Sequence, residues 1–173
     1  MSEAPQSAPQ NSEGDPSWAR EICETCFKAL TDSHVQELSR NREDLMTWRR
    51  GSSQLVLKVN PGLNNFTIYS VLASGVEPSM ALYRYLFTYN ILQRRETLGL
   101  FENNGEWYVV MKYTMELELA QPVVLQRHIF ALQEVADQLD SELVNHFGGS
   151  IHYKEWDKLD QSAVDNLLDD LFD

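Results

Sequence analysis

The chain has 173 residues, a length for one domain with tails, and its 43% apolar and 23% charged residues exclude a low-complexity chain over most of that length. A net charge of −12 argues against nucleic acid as a partner, since a phosphate-backbone binder needs cations to displace counterions. No apolar run approaches the ~18–20 residues of a membrane span, and the first residues lack the basic start and apolar core of a signal peptide. The expectation is a cytoplasmic protein.

Residues 1–16 hold three of the six prolines and, apart from Met1, only alanine as apolar content. Such a segment buries too little surface to offset its ordering entropy, so a disordered lead is expected. A compact domain is expected over 17–149. Its first helix starts near Ser17 and carries Ile22, Cys26, Ala29 and Leu30 at helical spacing. Ser33 with Gln36 suggests a capping box for a short helical piece around 34–39. Three strands follow, Leu45–Arg50, Gln54–Val59 and Asn65–Ala73, separated by Gly51-Ser52-Ser53 and by Asn60-Pro61-Gly62.

Pro78 opens a helix that runs to about Leu92. Its apolar and aromatic residues leave only a narrow polar stripe through Arg84, Thr88 and Arg95, whereas a surface helix needs one apolar face. A sheet with a helix on one side covers only one face of that helix. A homodimer that buries Tyr83, Leu86, Phe87 and Asn90 is therefore expected.

The segment 97–119 reads as a hairpin. Every odd position from Trp107 to Leu119 is apolar, the period-two pattern of a strand with one buried face. Asn104-Gly105 is the preferred pair for a type I′ turn, and a two-residue loop there sets Leu100 opposite Val109 and Leu98 opposite Met111. Pro122 opens the last long helix, whose Leu125, Ile129, Leu132, Ala136, Leu139, Leu143 and Phe147 form one stripe until Gly148-Gly149 stop it.

Acids concentrate late in the chain: eleven against ten bases in residues 1–100, fifteen against four in 101–173. Residues 150–173 form an acidic tail in which Val164, Leu167, Leu168 and Leu171 follow helical spacing, with Phe172 beside them. A segment of this kind suits docking on an apolar and basic groove, in cis or on another protein. Arg49, Arg50, Arg94 and Arg95 are candidates for the basic side.

Chemistry is sparse. Cys23-x-x-Cys26 is the one metal- or redox-like spacing, yet zinc needs two further ligands, and His34, His128, His146 and His152 supply no second pair. Phosphate-binding, nucleophile-elbow and zinc-protease motifs are absent, and the Asp/Glu pairs read as solvated surface. The expectation is no enzyme, no cofactor and no metal.

The order helix-β-β-β-helix-β-β-helix, an α+β antiparallel sheet with helices packed on it, resembles the type III secretion chaperone-like fold. That fold is shared by Tir-chaperone-class secretion chaperones and YbjN-type bacterial proteins. The likeness is carried by Leu82-Tyr83-Arg84-Tyr85-Leu86-Phe87-Thr88-Tyr89-Asn90, then Leu98-Gly99-Leu100, the alternating strand after Gly105, and a closing helix with Ala131, Val135, Ala136 and Leu139. The resemblance implies a small, acidic, non-enzymatic dimer that offers its sheet face to an extended segment of a client protein. The Pro/Ser lead and the acidic tail are additions to that pattern and weigh toward the YbjN-like group. The alternative is a regulatory or assembly adaptor whose tail docks on a partner protein.

Overall fold

The computed structural model describes residues 37–40, 45–60, 63–92, 95–116, 119 and 121–151, together with Glu21, Glu24, Thr25 and Lys28, all four helical. The expected lead over 1–16, the cysteine pair and the tail beyond residue 151 lie outside the described residues. In chain order the elements are β1 (Glu37–Arg40), β2 (Leu45–Arg50), β3 (Ser53–Asn60), β4 (Asn65–Ser74), α1 (Met80–Leu92), β5 (Thr97–Asn103), β6 (Glu106–Glu116), α2 (Pro122–Phe147) and β7 (Ser150–Ile151). The fold is α+β: an antiparallel sheet in the order β1-β2-β3-β4-β6-β5, with β7 added to the end of β4.

The short helical piece expected around 34–39 is replaced by a strand, since Glu37–Arg40 pairs antiparallel with Met46–Arg49. A helix of so few residues is unstable in water, whereas a strand there satisfies the open backbone edge of β2. The helix expected from Pro78 begins two residues later. Ser79 is its cap, with Oγ accepting from Leu82 N at 3.1 Å.

The β5–β6 hairpin has the register that the alternation requires, Leu98 opposite Met111 and Leu100 opposite Val109. Asn104 and Gly105 both take positive φ, 52° and 82°, as a type I′ turn demands. The odd residues Val109, Met111, Tyr113 and Met115 face the helices and join one core with Met46, Trp48, Leu55, Leu57, Phe66 and Ile68. Leu82 and Leu86 enter that core from α1, and Leu125, Ile129, Leu132, Ala136, Leu139 and Leu143 enter it from α2. Both helices therefore sit on one side of the sheet.

The other side is covered in part: Leu45, Val56, Tyr69 and Val110 are buried there, with Thr47 and Thr67 between them, while Thr97, Lys112, Thr114 and Glu116 of β5 and β6 are exposed. The client surface that the resemblance implied, a sheet face, stays open at that β5–β6 end.

The long α2 is pinned at the β2–β3 turn. Asp137 Oδ1 accepts from the backbone N–H of Ser52 (3.1 Å) and of Ser53 (3.0 Å). Ser52 Oγ and Ser53 Oγ reach Asp140 Oδ2 at 2.6 and 3.1 Å, and Gln133 Nε2 donates to the Ser53 carbonyl at 3.0 Å. Asp140 is fully buried, so this pair is a structural clamp and not the solvated surface that the sequence suggested. The clamp needs a glycine beside it: Gly51 has φ of +68°, and a Cβ there would come within 2.4 Å of Asp137 Oδ2.

Candidate functional site

Two apolar surfaces stay open among the described residues, both involving α1. The first is its outer face. Only Leu82 and Leu86 of this helix are buried. Met80, Tyr83, Phe87 and Ile91 recur at helical spacing on the outside, and Phe87 is 67% exposed. Of the four residues nominated for a dimer, the structure places Tyr83 and Phe87 on this face. Leu86 points into the core. The amide of Asn90 is spent on β5, donating to the Leu98 carbonyl at 2.8 Å and accepting from Leu98 N at 2.7 Å. That bidentate pairing fixes the end of α1 along the strand, which is a structural duty.

The second surface is a groove between α1 and α2, floored by the β6 end of the sheet. Three depressions follow one another along α2. The first, about 410 Å³, is walled by Tyr85, Tyr89, Leu92, Val135, Leu139 and Glu142. The next, about 360 Å³, shares Leu92, Glu96 and Val135 with it and adds Arg95, Tyr113, His128, Ala131 and Leu132. The third, about 530 Å³, continues past Tyr113 and His128 to Met115, Leu119 and Val124. The first depression lies between α1 and α2, the second reaches α1 at Leu92, and the third lies beyond the end of α1, between α2 and β6.

Polar groups inside the groove are paired tyrosine by tyrosine. Tyr85 OH donates to Glu142 Oε1 at 3.0 Å, which ties α1 to α2, and Tyr89 OH donates to the buried Glu96 at 2.9 Å. Burial, reinforced by the Glu142 hydrogen bond and charge, pushes the Tyr85 phenol up to about 12. The Tyr89 phenol is raised further, by burial first and then by Glu96. Tyr85 also stacks with Tyr89, and its ring meets Phe147 edge-on at 5.4 Å. At the other end Tyr113 stacks on His128 at 5.4 Å, with its OH 3.3 Å from Nδ1.

Carboxylates occur along the whole length of the groove, Glu142 in the first depression, Glu96 in the first two and Glu116 in the third, and the positive charges of Arg95 and Arg127 act on His128 in the middle. Arg49 and Arg50, also nominated as a basic pair, lie on β2 beside the turn that Asp137 holds. The tail residues Val164, Leu167, Leu168, Leu171 and Phe172 lie outside the described residues.

Sequence reasoning missed the groove because no single element carries it. One local signal was available: Tyr85 and Tyr89, one turn apart in an apolar, aromatic-rich helix, each need a partner for a hydroxyl.

His128 supplies a pH test. Burial, then the positive charges of Arg95 and Arg127, hold its pKa below the ordinary 6.5. As pH falls the unfolded chain takes up this proton first. The contribution is therefore complete above about 6.5 and is lost as pH drops through the lower folded value. The Tm of the native chain should fall more steeply between about pH 7.5 and about pH 5.5 than that of His128→Phe. Parallel pH profiles for the two proteins would contradict this assignment.

No helix among the described residues is long and apolar enough to cross a membrane. No curated protein matches the chain. One family model does match, over residues 17–155, and it is described as T3SS (YopN, CesT) and YbjN peptide-binding chaperone 1. It spans most of the chain, and the α+β fold agrees with it. The chain belongs to the family of type III secretion and YbjN peptide-binding chaperones.

Proposed function

We propose that this chain is a non-enzymatic, cytoplasmic chaperone-like protein that holds a segment of a client protein in the groove between α1 and α2. The observation that carries the proposal is the groove itself: an open, elongated channel of mixed apolar and polar lining on a chain of a peptide-binding family. Its polar groups lie along the walls, where they orient a bound backbone while apolar residues hold the side chains. The helix side of the sheet is filled by the core, and the groove beside it suits an extended or helical segment. In the same proposal two copies associate through the outer face of α1, around Tyr83 and Phe87, with Leu86 beneath them and Asn90 fixing the helix.

A second use is favoured by the family boundary. The match ends at residue 155, leaving Val164, Leu167, Leu168, Leu171 and Phe172 beyond it, so the tail would serve an adaptor that recruits a partner protein.

The test uses a library of random peptides selected on the full chain. Ala131 lines the groove and is exposed, so Ala131→Trp should fill it without unfolding the domain. Selected peptides should bind the variant at least ~10-fold more weakly, about 1.4 kcal/mol. Equal binding to both proteins would remove the groove from consideration.

A further inference from the structure

We propose that the groove between α1 and α2 is the docking site of the chain's own acidic segment, residues 161–172, held in cis. The proposal rests on the groove being the client site, so the tail and the client compete for it.

Position comes first. After α2 ends, the chain makes a close turn in which a Cβ on Gly149 would overlap the Ser74 carbonyl oxygen. Ser150 and Ile151 then pair with Ser74 and Ala73, and Ser150 Oγ lies 3.1 Å from Ser74 Oγ. This clamp fixes the point from which the remaining chain departs. It lies by the C-terminal end of α2, where Phe147 packs on Tyr85 at the mouth of the groove.

Length comes next. Residues 152–160 reach about 30 Å when extended, more than enough to bring residue 161 into the channel. Residues 161–172 as a helix span about 18 Å. That is close to the stretch of α2 from Leu139 to His128, about 17 Å. Isolated, a helix of this size is marginal in water, so it orders only where its apolar stripe is covered. Val164, Leu167, Leu168 and Leu171 make that stripe, and Leu92, Ala131 and Val135 are walls of matching chemistry.

Charge contributes at the far end. Arg95 lines the second depression beside His128 and Glu96, and Arg127 lies close enough to act on His128. In the tail Lys154 and Lys158 are offset by Glu155, Asp157 and Asp160, whereas Asp165, Asp169, Asp170 and Asp173 have no cation among them. A tail entering beside Phe147 brings these uncompensated aspartates toward the two arginines. The family match ends at residue 155, so the docking segment is an addition to the peptide-binding unit.

The experiment uses full-length chains and a fluorescein-labelled synthetic peptide of residues 156–173. Leu167→Asp/Leu171→Asp disables the internal tail and leaves the groove free. The peptide should bind this double variant at least ~10-fold more tightly than the native chain, whose groove is already filled. Adding Ala131→Trp, or Ala131→Glu in a second variant, should abolish that binding; each is checked for native circular dichroism. No binding to the tail variant overturns the proposal. Equal binding to native and tail-disabled chains overturns it too, because the tail is then not held in cis. Binding that survives both Ala131 substitutions places the tail elsewhere and also overturns it. Random peptides report on client binding separately, so a groove that takes the tail but no selected peptide refutes the client proposal alone.

Discussion

Asp137→Ala is expected to lower the stability of the domain by about 3 kcal/mol, since hydrogen bonds to a charged acceptor contribute roughly 1.5–3 kcal/mol each. Its Oδ1 accepts two backbone N–H groups, those of Ser52 and Ser53, at the β2–β3 turn. For a chain of this size the loss corresponds to a fall in Tm of roughly 6–12 °C. Asp137→Asn keeps an acceptor oxygen and should lose less than half as much.

Gly51→Ala should cost a similar amount in the native background. It combines a positive φ with a Cβ placed against Asp137 Oδ2. The two substitutions share one cause, so they should not add. Once Asp137 is alanine, the new methyl group no longer meets a carboxylate, and Gly51→Ala should cost only its backbone strain, on the order of 1–2 kcal/mol. Thermal unfolding of the two single variants and the double variant checks this, and additive losses would show that the turn and the carboxylate act independently.

Asp137 and Asp140 also show where the sequence stops being readable. The hairpin at Asn104-Gly105 and the stripe of α2 were legible because a period of two or of 3.6 survives into the structure, and register follows from it. β1 was not, because Glu37–Arg40 has no period of its own and becomes a strand only through the exposed edge of β2. The carboxylate clamp joins residues about 85 apart in sequence, Ser52 to Asp137, and no local pattern encodes such a meeting. The groove has the same origin. Tyr89 and Glu96, Tyr85 and Glu142, and Tyr113 and His128 are three pairs whose members come from different segments, and only the packing of α1 and α2 on one sheet makes them one channel. The crowding of apolar residues on α1, by contrast, was visible in the sequence. The structure sorts that excess into a buried edge, Leu82 and Leu86, a groove edge, Tyr85 and Tyr89, and an outer edge, Tyr83 and Phe87.

That outer edge carries the second large effect. Phe87→Asp should leave the fold intact, because Phe87 is 67% exposed and surface substitutions shift stability by only about 0.5 kcal/mol. In solution the native chain should have twice the 19.9 kDa monomer mass, and the variant should have the monomer mass. The interface expected here is two-fold, so one substitution acts twice: two phenyl rings are lost from the centre and two carboxylates are brought together. At about 2 kcal/mol for each aromatic anchor, the dissociation constant should rise roughly 1000-fold. The other nominated residues separate folding from association. Leu86→Asp should unfold the chain, because its side chain is buried in the core among Leu82 and the β-sheet residues. Asn90→Ala should loosen α1 from β5, since both bonds to Leu98 disappear, and lower the Tm while leaving the mass at low temperature unchanged. Light scattering at roughly 100 μM decides the matter, well above the micromolar constants of weak dimers. A native chain that scatters as a monomer there would mean that Tyr83 and Phe87 face something other than a second copy.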